Sequence, residues 1–327
     1  MSICVVGAGA WGTALAATFA RAGPGTGASV TLWGRDAETV AAIEAGTNPR
    51  YLPGIDLPPI RATTDLASAL DGADIVLLVI PVAATRAIVP DVLAEMEEGA
   101  TIICCSKGID PERGETPAAI VRGHAPEASV AVLSGPSFAA DVALGLPTAV
   151  TLAADDREEA LRLAGRLSNP TLRLYAHDDP PGAELGGALK NVLALAVGVA
   201  RGLELGASAE AALIARGFSE LTRIATALGA RRETLTGLSG LGDLVLSCSS
   251  PQSRNFRYGM TLGQGGDTTG LELAEGVRTA STAARISRER GLDCAIVEGV
   301  DRLLRGDVEP HALVHELLER PLRAEEN

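Results

Sequence analysis

With 327 residues, nearly half of them apolar but only 3% aromatic, the chain is sized for two domains whose cores are built from Ala, Val, Leu and Ile. A formal net charge of −13 excludes a surface made for nucleic acid or an anionic membrane, and leaves room for a local basic pocket that takes an anionic small molecule. No apolar run reaches the length of a membrane span, so a soluble protein is expected, and the five cysteines, odd in number and without C-x-x-C spacing, read as buried thiols of a reducing cytoplasm.

The chain opens on a buried-strand pattern over residues 2–6, which leaves no room for a signal peptide. Gly7-Ala8-Gly9-Ala10-Trp11-Gly12 follows, then an Ala-rich helix over 13–21. This is G-x-G-x-x-G between strand and helix. Gly7 permits the tight turn, Gly9 lets a pyrophosphate approach the backbone, and Gly12 lets helix and strand pack closely. Phosphate is then held by free amides at the positive end of the helix.

Residues 23–27 read as a turn-rich connection to a second strand at 28–33. That strand ends at Gly34-Arg35-Asp36, where dinucleotide folds meet the adenosine ribose. Arg35 leans the cofactor from NAD(H) towards NADP(H), against the competing reading of a solvated surface charge. Asp36 reads as the N-cap of a helix over 37–45. Further strands at 75–80, 101–105, 129–133, 148–152 and 172–175, with helical segments between several of them, predict a Rossmann-type, doubly wound, largely parallel sheet. Ligands of such sheets gather outside the C-terminal strand ends. Ser106-Lys107-Gly108 and Ser134-Gly135-Pro136-Ser137-Phe138-Ala139 stand there. Lys107 is thus expected at the mouth of the sheet, and Ser137 taken alone reads first as a helix N-cap.

Near Asp178-Asp179-Pro180-Pro181-Gly182 the alternation stops. The boundary falls there, with a dinucleotide-binding domain over 1–182 and an all-α substrate-binding and catalytic domain over 183–327. Helices are expected at 184–205, 208–228, 294–305 and 311–318. From Gly186 to Ala200 every residue except Lys190 and Asn191 is apolar or glycine, so this helix is buried. An ammonium inside it must find partners or shed its proton. The chain has 26 arginines and only two lysines. Where a compact, titratable amine is needed arginine cannot serve, which makes Lys190 the candidate acid/base group and Lys107 its companion. The competing reading is a purely structural pairing of Lys190 with a buried carboxylate. A long loop over 237–255 places Asp243 among glycines, free to point into a cleft, and crowds Ser253-Arg254-Asn255 at the start of a helix in a pattern suited to an anion. Its competing reading is a flexible surface turn.

Together, the 7–16 stretch, Asn48-Pro49-Arg50-Tyr51-Leu52-Pro53, Lys107-Gly108-Ile109, the 134–139 stretch, residues 184–191, Gly240-Leu241-Gly242-Asp243-Leu244, Ser253-Arg254-Asn255 and Glu275-Gly276-Val277 resemble the bacterial-type NAD(P)-dependent glycerol-3-phosphate dehydrogenases. The resemblance implies reversible hydride transfer between NAD(P)H and dihydroxyacetone phosphate, giving glycerol 3-phosphate for phospholipid synthesis. It makes Lys190 the proton donor and acceptor. It puts Lys107, Gly135, Ser137, Asp243, Ser253, Arg254 and Asn255 around the substrate, and Ala10, Trp11, Arg35, Lys107, Ala139, Arg254, Leu273 and Glu275 against the cofactor. No metal is expected, and a homodimer is the candidate assembly. The chain departs from the family pattern at Val82, where a serine is usual, at Asp141, where glutamate is usual, and in the longer 23–27 connection. The competing functions are a related dehydrogenase acting on another hydroxy acid or a sugar acid, and a non-catalytic dinucleotide sensor that would need neither Lys190 nor the anion loop.

Overall fold

The computed structural model describes residues 1–271 and 274–319, apart from the side chains of Pro24 and Thr26. The first half alternates strands and helices: β1 (Ser2–Val6), α1 (Ala10–Thr26), β2 (Ser29–Trp33), α2 (Ala37–Glu44), β3 (Thr47–Asn48), β4 (Leu52–Asp56), β5 (Arg61–Thr63), α3 (Leu66–Leu70), β6 (Ile75–Leu78) and α4 (Val82–Glu95). It continues through β7 (Thr101–Cys104), α5 (Pro117–His124), β8 (Ser129–Ser134), α6 (Ala139–Ala143), β9 (Thr148–Ala154), α7 (Arg157–Leu167) and β10 (Leu172–His177). The second half is helical: α8 (Pro180–Gly202), α9 (Ala207–Ala227), α10 (Arg232–Leu235), a π-turn (Leu238–Gly242), α11 (Asp243–Ser249), α12 (Arg254–Gly263), α13 (Glu275–Glu289), α14 (Ala295–Leu304) and α15 (Pro310–Leu318).

The chain forms two compact units, one of Met1–Ser106 with Glu115–Ala183, the other of Lys107–Gly114 with Glu184–Asn327. The first holds an eight-stranded sheet in the order β10-β9-β8-β7-β6-β1-β2-β5. Every neighbouring pair is parallel except β8 with β9. Successive strand side chains point to opposite faces: Ile3 and Val5 join one buried cluster with Leu15 and Leu152, while Cys4 and Val6 join another with Val89 and Val121. Both faces are covered, which is why these strands read as unbroken apolar runs rather than alternating ones.

Three expectations are corrected. Residues 23–26 are not a connection: they complete α1, which runs through Pro24 and ends where Gly27 takes φ +67° and donates its N–H to Gly23 O at 2.8 Å. Pro24 falls in the last turn, where one missing donor disrupts little, and Gly27 supplies the left-handed cap. The 237–255 stretch is mostly helical, with only residues 250–253 between α11 and α12. Its glycines mark close packing rather than freedom. Finally, α8 is long and apolar enough to cross a membrane by length and composition, but the apolar window is wholly buried inside the protein.

The second unit is built around α8. Asp179 caps its start, accepting the Gly182 N–H at 3.0 Å. Its glycines meet those of α12 backbone to backbone. A Cβ on Gly198 would stand 2.2 Å from Phe256 O, one on Gly259 2.1 Å from Leu195 O, and one on Gly263 2.4 Å from Val199 O. Gly198→Ala overpacks this contact and is expected to lower stability by about 1–3 kcal/mol, read as a lower urea midpoint with an unchanged slope.

Candidate functional site

In the first unit the glycine motif does what its spacing requires. Gly7 takes φ +131°, and a Cβ there would stand 2.2 Å from Val79 O; a Cβ on Gly12 would stand 1.9 Å from Gly7 O. Both positions are closed to any side chain. Gly9 differs, since a Cβ there meets nothing within 4 Å. Packing does not demand that glycine, whereas close approach of a ligand to the backbone does. Gly9 is also the N-cap of α1 and makes no side-chain cap bond, which leaves the first amides of α1 without a side-chain acceptor, an arrangement suited to an anion. Asn48 braces the loop from below, its Nδ2 donating to Ala8 O at 3.2 Å and to Thr13 Oγ1 at 2.8 Å. The Trp11 indole N–H is buried without a hydrogen-bond partner among the described residues. A cradle that a Cβ would fill and an orphaned donor beside it fit a dinucleotide.

Arg35 is exposed just past the end of β2. Asp36 caps α2, its carboxylate accepting from the Thr39 N–H at 2.8 Å and from the Thr39 hydroxyl. Those bonds hold its carboxyl below the usual range. Gly135 takes φ +150°, with Val150 Cα 2.9 Å from where its Cβ would be. Ser137 is not a helix cap: its hydroxyl donates to Gly135 O at 3.0 Å, and Phe138 occupies the N-cap position of α6, with Ala139 next and half-buried. The Pro136 ring removes a donor and Gly135 turns the chain through a conformation that favours glycine, so the hydroxyl steadies the turn instead. Val82 is buried at the start of α4, whose N-cap, Pro81, has no side-chain bond to give.

The second unit gathers the charges. Asp243 is 1% exposed and far from free in a cleft. As the first residue of α11 it accepts Lys190 Nζ on Oδ1 and Lys107 Nζ on Oδ2, the latter at 2.6 Å. Lys190 also donates to Ser247 Oγ at 2.6 Å. Lys107 reaches this carboxylate because residues 107–114 leave the sheet and pack with the helices. Ile109 is buried in their core, and Asp110 accepts the Arg113 N–H at 2.9 Å to close the turn. Two ammonium groups share one carboxylate, which leaves a net positive charge suited to an anion. Burial drives Lys190 down to about 8; Asp243 opposes that shift and Lys107 adds to it. The neighbouring Cys248 thiol is pushed up to about 12 by burial and is inert.

Ser253 caps α12 by accepting the Phe256 N–H at 3.3 Å. Asn255 accepts the Gly276 N–H at 2.8 Å and donates to Asn191 Oδ1 at 2.9 Å, tying α12 and α13 to the residue after Lys190. Arg254 is exposed on the first turn of α12. Burial raises the Glu275 carboxyl, with Arg278 and Arg254 opposing. Leu273 lies outside the described residues. Thus Lys107, Lys190 and Asp243 form one cluster, with Asn255 linked to it through Asn191 and Ser253 capping the helix that carries Asn255, while Gly135, Ser137, Ala139, Arg35 and the 7–12 motif belong to the other unit. Ser247 and Asn191 carry no assignment from the sequence. Ser247 stands four residues after Asp243, a helical spacing that becomes visible only once 243–249 is known to be a helix.

Residues 2–160 match the family described as NAD-dependent glycerol-3-phosphate dehydrogenase N-terminus, and 179–315 match its C-terminus. A protein of Mesorhizobium japonicum named glycerol-3-phosphate dehydrogenase [NAD(P)+] is 54% identical over 99% of this chain and 94% of its own. One of Brucella suis with the same name is 50% identical over 99% of each chain. The crystal structure of glycerol-3-phosphate dehydrogenase from Coxiella burnetii superposes with a TM-score of 0.91 at 37% identity, covering 98% of this chain and 99% of that one.

Asp243→Asn leaves Lys190 buried without its counter-charge. It is expected to cost about 3–5 kcal/mol in urea unfolding at neutral pH, and adding Lys190→Met should restore part of the loss.

Proposed function

The chain belongs to the NAD-dependent glycerol-3-phosphate dehydrogenases, and from that premise we propose that Lys190 carries the proton in a reversible interconversion of dihydroxyacetone phosphate and glycerol 3-phosphate. The activity is that of an NAD(P)-dependent oxidoreductase. When bound, the nicotinamide supplies or accepts the hydride at the substrate C2. Everything else falls to the chain's own side chains. Negative charge grows on the C2 oxygen as hydride arrives, and a protonated Lys190 stabilises it and delivers the proton to that oxygen; in the reverse direction the neutral amine removes it.

The single observation that carries this reading is the buried carboxylate of Asp243 shared by the two lysines. One oxygen is committed to each, so Asp243 orients Lys190 while Lys107 keeps a fixed positive charge beside the substrate. Ser247 satisfies Lys190 in both states: its oxygen accepts from the ammonium, and its hydroxyl can donate to the neutral amine. Lys107, Arg254 and the amides at the start of α12 suit the substrate phosphate. Ser253 and Asn255 fix that end of the helix. Gly135 and Ser137 are assigned to the substrate, and Ala10, Trp11, Ala139 and Glu275 to the cofactor, on the family resemblance. Holding the phosphate away from the reacting carbon converts binding into orientation. The glycerol 3-phosphate formed would serve phospholipid synthesis, in a cytoplasm that keeps all five buried cysteines as thiols.

Lys190→Met is expected to lower kcat by about 100-fold to 10,000-fold with folding and cofactor binding intact. The wild-type kcat/KM for reduction requires the protonated amine, so it should hold level below about pH 8 and decline above it; for oxidation it should rise to the same point. Near wild-type turnover of the methionine variant would remove Lys190 from the chemistry.

For the cofactor the reading favours NADP(H). Asp36 is occupied as a helix cap and Arg35 stands exposed beside it, a pairing that suits a 2′-phosphate better than a free ribose diol. Arg35→Ala should raise the KM for NADPH about 10-fold while leaving that for NADH nearly unchanged; equal effects on both would return Arg35 to the solvated surface.

A further inference from the structure

Gly186 stands one turn before Lys190 on α8, so the two share a face of that helix. The π-turn 238–242 lies against this face. A Cβ on Gly186 would stand 2.8 Å from Ser239 O and 3.0 Å from Gly240 Cα. On Gly240 it would stand 2.0 Å from Leu235 O. Helix and turn therefore meet backbone to backbone, closer than a side chain at 186 permits. The turn is closed by the Gly242 N–H donating to Gly237 O at 3.0 Å, and it runs without a break into α11, whose first residue is Asp243.

A π-turn takes in one residue more than an α-turn and so rotates all that follows by about 100° around the helix axis. In the orientation that follows, Asp243 and Ser247 are buried at 1% and 2% exposure, while Leu241 and Val245 stand at 37% and 51%. The same face of α11 buries Leu244 and Cys248 in the helical core, so one orientation serves the apolar pair and the polar pair together. The polar pair is turned inward by the geometry of the turn, and its height along α8 is set by how close the turn can come to Gly186.

We propose that Gly186 and the π-turn Leu238–Gly242 are positioning elements of the acid/base centre, their contact fixing the distance and rotation at which Asp243 meets Lys190 and Lys107. The proposal rests on the assignment of Lys190 as the group that carries the proton. In it, Gly186 and the turn act through Asp243.

The test compares Gly186→Ala, Asp243→Asn, the double variant and Gly217→Ala in the full-length protein, by kcat, KM and the pH profile of dihydroxyacetone phosphate reduction. Gly217 is a control for crowding, because a Cβ there would meet Leu193 Cδ2 at 2.3 Å, a yielding side chain on the same α8. Gly186→Ala is expected to lower kcat about 100-fold, the scale of a displacement near 1 Å, with the KM for NAD(P)H unchanged. Its alkaline limb should move to lower pH, as in Asp243→Asn, because Asp243 is what opposes the downward pull of burial on Lys190. The double variant should be no slower than Asp243→Asn alone, and Gly217→Ala should leave the limb in place. A folded Gly186→Ala with a wild-type limb, or losses that multiply in the double variant, overturns the proposal while leaving Lys190 in its role. A limb that stays put in Asp243→Asn overturns the role of the cluster and the proposal with it. If Gly186→Ala is too unstable to assay, Gly237→Ala crowds the start of the same turn more gently, its Cβ 3.2 Å from Thr234 O, and is judged by the same limb.

Discussion

One carboxylate holds the charged centre of this protein together. Asp243, almost wholly buried, gives an oxygen to each of the chain's two lysines. A buried ammonium without a partner would be deprotonated at neutral pH, and a fully compensated one would titrate too high to exchange a proton there. Sharing a single carboxylate between two lysines lies between those limits. Burial pulls Lys190 down, Asp243 pulls it up, and Lys107 limits how far. The result is an amine near 8 that can act in both directions of a reversible reaction.

The architecture of the helical unit follows from keeping that arrangement dry and rigid. Because α8 is apolar on every side, it must be enclosed; its glycines let α12 and the π-turn approach closer than side chains would allow, and Gly276 of α13 does the same from its own side. Each close approach delivers one part of the centre. The contact with α12 brings Asn255 to Asn191, the contact at Gly276 anchors α13 to the same pair, and the contact at Gly186 carries Asp243. The same logic governs the sheet unit. Gly7 and Gly12 are closed by backbone atoms, and Asn48 ties the loop between them to the first turn of α1.

Much of this was legible in the chain. The seven apolar strands of the large sheet and the helix of Lys190 follow from their apolar runs, and the cap at Asp36 from its place before a helix. The short β3, β4 and β5 were not, since two to five residues of mixed composition carry no periodic signal. A helix start at Ser253-Arg254-Asn255 was legible, but the helix at 243–249 was obscured by the Gly and Ser around it, which read as loop because their local preference is for turns. Here that preference is overridden by packing, and with it was lost the spacing that would have paired Ser247 with Asp243.

The sequence by itself determined the class of the protein, the dinucleotide motif and the singling out of two lysines, because local spacing and residue chemistry are enough for each. It also determined that Lys190 had to be buried, since no face of its helix is polar. Only the tertiary structure decided what Lys190 meets. Residues 107, 190 and 243 are distant in the chain, and no local pattern says that 107–114 packs with the helices or that a π-turn rotates Asp243 inward. Those outcomes depend on backbone contacts between elements, where the informative feature is a missing side chain at 186 or 240, and the meaning of a glycine depends on what stands opposite it.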